Sequence, residues 1–138
     1  TAQRSQQQAI VTTTQVYLGD TMGELVALYA ASDVVFVGGS LVPVGGHNFL
    51  EPAALSKPLL SGRELHNFQE IADQLKRANA LQSVENSDQL AFQVCSLFAD
   101  EPARLAAAAS AYSVVQANRG AVATVVDCIA AHAADILH

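Results

Sequence analysis

Val34-Val35-Phe36-Val37-Gly38-Gly39-Ser40 is the stretch from which the fold is read. Four apolar residues in succession, with no polar alternation, describe a strand buried on both faces, as in a parallel sheet. The glycine pair then stops it. Upstream, residues 16–18 form an earlier strand closed by Gly19-Asp20, and residues 10–14 also look extended. Between the strands Leu25, Leu28 and Tyr29 recur at helical spacing, with Asp20 or Thr21 placed to cap that helix. Downstream the alternation continues: a helix over 48–56, a strand at 58–60 ending at Gly62, a helix over 67–79 and a short strand at 80–84. Three helices are then expected, over 87–99, 102–118 and 121–137, with Pro102 in a first turn and Gly120 as a left-handed cap. Strands alternating with helices predict an α/β fold, a Rossmann-like, mostly parallel sheet with flanking helices. Residues 1–138 read as a single domain whose polar, Gln-rich residues 1–9 fray.

Composition supports a folded core. Of 138 residues, 51% are hydrophobic and only 14% charged, which is far from the balance of a disordered chain. The net charge of −6 opposes binding to nucleic acid or to an anionic membrane surface. No apolar run approaches the roughly 20 residues needed to span a bilayer, so no direct membrane insertion and no secretory signal are expected. Cys95 and Cys128 fall in helical segments and are expected as two buried reduced thiols, in keeping with a cytoplasmic protein. With no CxxC and no Cys/His cluster, neither a metal nor another cofactor is expected.

Ligands of such sheets bind at the carboxyl ends of the strands. Three loops lie there: 19–24, 38–48 and the one that starts at Gly62. Their glycines permit positive φ and close backbone approach to a ligand. No Lys or Arg occurs between Arg4 and Lys57, so a phosphate would rest on backbone N–H groups and on the helix starts near Met22 and Asn48. A stronger cation would come from outside the chain. Glu51, just before Pro52, is placed either to favour its helix start or to accept hydrogen bonds from vicinal hydroxyls such as those of a ribose. His47 and Glu51 lack a third metal ligand. Residues 38–42 are not a nucleophile elbow, because Val42 stands where glycine is required. Neither a GxxxxGK[ST] nor a GxGxxG motif occurs.

Three segments together carry a resemblance: Gly19-Asp20-Thr21-Met22-Gly23-Glu24-Leu25, Phe36-Val37-Gly38-Gly39-Ser40-Leu41-Val42, and Gly45-Gly46-His47-Asn48-Phe49-Leu50-Glu51-Pro52-Ala53. With Asn67-Phe68 and Asn118-Arg119-Gly120-Ala121 downstream, the chain resembles the 3-deoxy-D-manno-octulosonic acid (Kdo) transferases of lipopolysaccharide synthesis. The resemblance implies the partial C-terminal domain of a GT-B glycosyltransferase. The donor it implies is CMP-Kdo, and the acceptor a lipid A precursor reached through an N-terminal domain, at the cytoplasmic side of the bacterial inner membrane. It implies CMP contacts at Met22, Gly23 and Glu24 and at Asn48, Phe49, Leu50 and Glu51, with Gly38, Gly39, Ser40, Gly45, Gly46 and His47 lining the crevice. The family's Pro-Arg contact has no counterpart here. Its general base lies in the N-terminal domain, so no residue of this chain is expected to be catalytic. The family usually reads Gly-Pro-His before its Asn-Phe, whereas this chain reads Gly62-Arg63-Glu64-Leu65-His66, and no contacts carry over there. The rivals are another GT-B transferase or epimerase acting on a UDP-sugar, and a non-catalytic interaction domain that kept the fold. By resemblance, with a strand order of 3-2-1-4-5-6, strands 1 and 2 would precede Thr1. Residues 34–37 would then expose a sheet edge, and a homo-oligomer or a rearranged residue 16–18 strand is expected.

Overall fold

The computed structural model describes residues 1–136, with side chains through Arg119. The chain divides into two compact units, Thr1–Ser32 and Asp33–His138, where the sequence reads as one domain.

The first unit contains β1 (Ala2–Gln3), β2 (Tyr17–Leu18) and α1 (Leu25–Ala31). The two strands pair in parallel, Ala2 opposite Tyr17 and Gln3 opposite Leu18. The start of the chain is therefore tied down rather than frayed. Ala2 is buried, its N–H donates to the Val16 carbonyl at 2.8 Å, and the Arg4 N–H donates to Leu18 at 2.9 Å. The residue 16–18 strand thus finds a partner within its own unit. Residues 10–14 form no strand, because Thr14 closes a turn: its N–H reaches the Val11 carbonyl at 2.8 Å and its Oγ1 accepts from the Val11 N–H at 3.1 Å.

The second unit is built on a parallel sheet of order β3-β4-β5, formed by Val35–Val37, Leu59–Ser61 and Leu81–Ser83. This is the order expected of strands 4, 5 and 6. Val35, Phe36 and Val37 face Leu59, Leu60 and Ser61, which in turn face Leu81, Gln82 and Ser83. Every residue of the central strand β4 is buried, which accounts for Leu59 and Leu60, while the Ser61 hydroxyl is satisfied by donating to the Gly62 carbonyl. α2 (Leu50–Ala54), α3 (Gln69–Arg77), α4 (Ser87–Ala99) and α5 (Glu101–Ile136) complete the unit. The core is centred on Phe49, Leu59, Leu60, Leu65, Leu75 and Val84.

Local chemistry sets the helix ends. α3 carries Glu70 in its first turn and Lys76 and Arg77 in its last, matching the helix dipole, and Asn79 follows it with φ 57°. α4 starts at Asn86, whose side chain accepts from the Gln89 N–H at 2.9 Å, while Gln89 Oε1 accepts from the Glu85 N–H at 2.9 Å. A single helix replaces the two expected over 102–118 and 121–137: α5 runs through Gly120 instead of stopping there. A mid-helix glycine costs only about 1 kcal/mol, and good helix formers flank it on both sides. Residue 137, the end of the expected last helix, residue 138 and the Cys128 side chain lie outside the described residues. Cys95 is a free thiol, but it is exposed on the outward side of α4 rather than buried. Among the described residues, no helix is long and apolar enough to cross a membrane.

Candidate functional site

In the first unit, the loop between β2 and α1 is organised by two residues upstream. Both Asp20 carboxylate oxygens are taken by Ser5, through its N–H at 2.8 Å and its hydroxyl at 2.6 Å. These bonds, the hydroxyl first, hold the Asp20 carboxyl below its ordinary range. Asp20 is thereby removed as a cap, and no side chain caps α1. Arg4 donates to Glu24 Oε2 through Nε at 2.9 Å and to Oε1 through Nη2 at 2.7 Å, and the Thr21 hydroxyl donates to Oε2 as well. Arg4 first, then Thr21, lowers the Glu24 carboxyl from its ordinary range. Met22 is 98% exposed, and Gly23 adopts φ +81° with nothing close to it. This loop therefore offers backbone and the Met22 side chain, while the Glu24 carboxylate is already engaged.

In the second unit, the loop from β3 to α2 is locked at several points. The Ser40 hydroxyl is fully buried, donating to the Val37 carbonyl at 2.5 Å and accepting from the Gly62 N–H at 2.8 Å. It is a tie between the ends of β3 and β4, with no surface left for a ligand. The Gly46 N–H returns to the Gly39 carbonyl at 2.8 Å, and His47 Nδ1 lies 2.7 Å from the Gly38 carbonyl, so Nδ1 carries the proton. Positive φ angles at Gly39, Gly45 and Gly46 (+68°, +100° and +78°) make this double return possible. At Gly45 a Cβ would come within 2.6 Å of His66 Nε2, so glycine is required for close packing too. Asn67, which sequence reasoning left without a role, holds the turn from the other side: its N–H reaches the Gly45 carbonyl at 3.4 Å and its Nδ2 the Val44 carbonyl at 3.3 Å.

The Asn48–Glu51 segment follows. Asn48 Oδ1 accepts from the Leu50 N–H at 2.9 Å, and its Nδ2 donates to Glu51 Oε1 at 3.2 Å. Glu51 is exposed and keeps accepting capacity beyond that single bond. Phe49 is different: it is 0% exposed, and its ring meets Phe68 edge to face, 6.2 Å between centroids. Its side chain belongs to the core and cannot touch a ligand. The expected helix-start anion sites have little to stand on, because α1 has seven residues and α2 five. Arg63 pairs with Glu85 and not with its neighbour Glu64.

Two adjoining recesses flank this segment. One, of about 480 Å³, is lined by Leu50, by residues 66–71 leading into α3, and by Gln74 and Asn118. The other, of about 370 Å³, lies between α2 and α5 and is lined by Leu50, Glu51, Ala54, Val115, Asn118 and Arg119. Both fall in the size range of small-molecule sites, roughly 300–1,000 Å³. The sequence flagged Asn118-Arg119 only as a matching tetrapeptide; its place beside Glu51 depends on the packing of α2 against α5.

No family model matches the chain. The chain is 41% identical over 117 residues to the 3-deoxy-D-manno-octulosonic acid transferase of Haemophilus influenzae, covering 84% of this chain and 27% of that protein. It is 34% identical to the enzyme of the same name from Bordetella pertussis, covering 83% and 27%. Among solved structures, the C-terminal CMP-Kdo binding domain of WaaA from Acinetobacter baumannii superposes with a TM-score of 0.80 at 42% identity, covering 83% of this chain and 60% of that one. The chain thus spans about a quarter of the length of the curated relatives it matches. A match over 117 of 138 residues takes in the 38–48 loop and the Asn48–Glu51 segment, on an α/β fold of parallel strands and flanking helices. By sequence and by fold, this chain belongs to the Kdo transferase family, as a partial C-terminal domain of GT-B type.

Proposed function

We propose that this chain binds the CMP-Kdo donor of a Kdo transferase, and that the whole protein moves Kdo from CMP-Kdo to a lipid A precursor at the cytoplasmic side of the inner membrane. The observation that carries this reading is the Asn48–Glu51 pair. Asn48 is pinned by the Leu50 N–H and steadies the Glu51 carboxylate at the rim of a groove. A fixed, exposed carboxylate with unfilled acceptor positions suits a pair of vicinal hydroxyls, as on the CMP ribose. Likeness to a CMP-Kdo binding domain supports the same ligand. Glu51 and Asn48 act through side chains, Leu50 through the groove wall and Phe49 through its backbone only. Met22 and Gly23 offer an exposed side chain and an open backbone, and Glu24 shapes their loop through Arg4.

The overall reaction is an inverting transfer in which an acceptor hydroxyl attacks as CMP leaves, with the general base supplied by a domain outside this chain. The isolated chain is accordingly inactive as a transferase. The test is an amide-by-amide NMR titration of the chain with CMP and, separately, UDP. The reading expects shifts at 22–24 and 48–51 with CMP, weaker ones with UDP, and a loss of roughly tenfold or more in CMP affinity in Glu51→Ala. Equal binding of UDP, or an unchanged CMP affinity in a folded Glu51→Ala, sinks it.

The open side of β3 supports a further point. β3 has a hydrogen-bonded neighbour on one side only within its sheet, and such edges pair with other chains. Self-association of the chain through Val35–Val37 is the outcome this favours.

A further inference from the structure

We propose that Arg119 supplies the cationic contact of the groove between α2 and α5, taking an anionic oxygen of the ligand whose hydroxyls Glu51 receives. The inference rests on the nucleotide reading above and extends it to a residue on a different element. The groove has an apolar wall of Leu50, Ala54 and Val115 and a polar rim of Glu51, Asn118 and Arg119. Its one carboxylate and one guanidinium form no ion pair with each other, and the Arg119 side chain has neither an ion pair nor a hydrogen bond among the described residues. Arg4 is engaged by Glu24, Arg63 by Glu85, and Arg104 by Glu101 and the Phe98 ring, while Arg77, at the end of α3, does not line this groove.

The support beneath Arg119 is fixed while its side chain is exposed. Asn118 Nδ2 donates to Gln74 Oε1 and to the Val114 carbonyl, both at 2.8 Å, which ties α5 to α3 one residue before Arg119. Val115, 6% exposed, is packed one turn earlier. The guanidinium fork thus stands on a held backbone, with its five donors available for an oxyanion. In a chain of net charge −6, a local cation is needed to offset the field that repels an anionic ligand. A groove with a hydroxyl acceptor on one helix and a free guanidinium on the next matches a ligand carrying vicinal hydroxyls and an anionic group. In the proposed donor that group is either the CMP phosphate or the carboxylate of the acidic sugar. The cation expected from outside the chain is thus supplied from α5, beyond the stretch from Arg4 to Lys57 that holds no Lys or Arg.

The test is a titration of wild type, Arg119→Ala and Arg119→Lys with cytidine, CMP and CMP-Kdo, after circular dichroism has established an unchanged fold. Removing the guanidinium should weaken the contacted ligand roughly tenfold to a hundredfold while cytidine affinity stays the same, with Arg119→Lys intermediate. Weakening that already appears with CMP assigns the phosphate; weakening that appears only with CMP-Kdo assigns the sugar carboxylate. Affinities that fall equally for cytidine, CMP and CMP-Kdo, or that do not change, overturn the role of Arg119 and leave the nucleotide reading standing. A wild-type chain that binds none of the three overturns both.

Discussion

Arg4 grips both carboxylate oxygens of Glu24, with Nε at 2.9 Å and Nη2 at 2.7 Å, and the Thr21 hydroxyl adds a third donor. A planar guanidinium meeting a carboxylate in this paired way fixes orientation as well as distance. Glu24, which the motif marks as a ligand residue, is thereby a structural anchor that joins β1 to the loop before α1. Its influence on a nucleotide would pass through the shape of that loop.

The pair has a pH signature. The folded Glu24 carboxyl titrates below its ordinary range because of Arg4 and Thr21. A depressed carboxylate stabilises the fold at pH above its ordinary range, and that contribution is lost as pH falls through the folded value. Carboxyl NMR should show Glu24 titrating late on acidification, and Arg4→Gln should move it back toward ordinary behaviour. Asp20, lowered by Ser5, should respond to Ser5→Ala and not to Arg4→Gln. A Glu24 titration indifferent to Arg4→Gln would show that the pair does not persist in solution.

Gly62 and Gly38 should answer differently to the same change. A Cβ at Gly62 would run into the Ser40 carbonyl, whereas one at Gly38 meets nothing within 4 Å. Gly62→Ala is expected to cost about 1–3 kcal/mol by forcing the strand ends apart. Gly38→Ala should change stability little. Urea unfolding of the two variants makes the comparison, and equal costs would mean the strand ends are not in contact as described.

Ser40 ties β3 to β4 through its hydroxyl. Ser40→Ala leaves the Gly62 N–H without its 2.8 Å acceptor in a buried place, at a cost of about 1–3 kcal/mol. Ser40→Cys, of similar size but a weaker acceptor, should recover only part of it.

Phe49→Ala tests whether this position belongs to the core. A fully buried ring packed on Phe68 should cost about 3–5 kcal/mol when truncated. Phe49→Leu, which keeps most of the volume, should restore the fold and leave CMP shifts at 48–51 in place. Lost CMP shifts in a folded Phe49→Leu chain would instead make Phe49 a ligand contact.

The free side of β3 predicts association. Sedimentation at rising concentration should show a dimer or larger species, and Phe36→Lys, half-exposed on that strand, should shift it toward monomer. A monomer at every concentration rejects pairing through this edge.

The α/β alternation was legible in the residues themselves, and the order of the last three strands followed from the family resemblance. Val34 to Val37 is apolar without alternation, and only a strand covered on both faces allows that. The turns at Gly39, Gly45 and Gly46 were legible for a similar reason, since few residues adopt positive φ without strain. Family membership was legible because the motif residues stand at fixed spacing. What stayed hidden depends on contacts between residues far apart in the chain. Ala2–Gln3 looked like a polar end because a two-residue strand has no period to detect, and only pairing with Tyr17–Leu18 makes it one. Phe49 and Glu51 sit two positions apart in one motif, yet packing on Phe68 sends one into the core and leaves the other at the groove rim. Ser5 took Asp20 and Arg4 took Glu24 across 15 and 20 residues, and no local pattern encodes such a pairing. The sequence alone thus determined which residues form strands, turns and the family motif, because those follow from short-range sterics and hydrophobic pattern. Which motif side chains stay free, and that Arg119 on α5 shares a groove with Glu51, was decided only when helices packed and distant polar groups found partners.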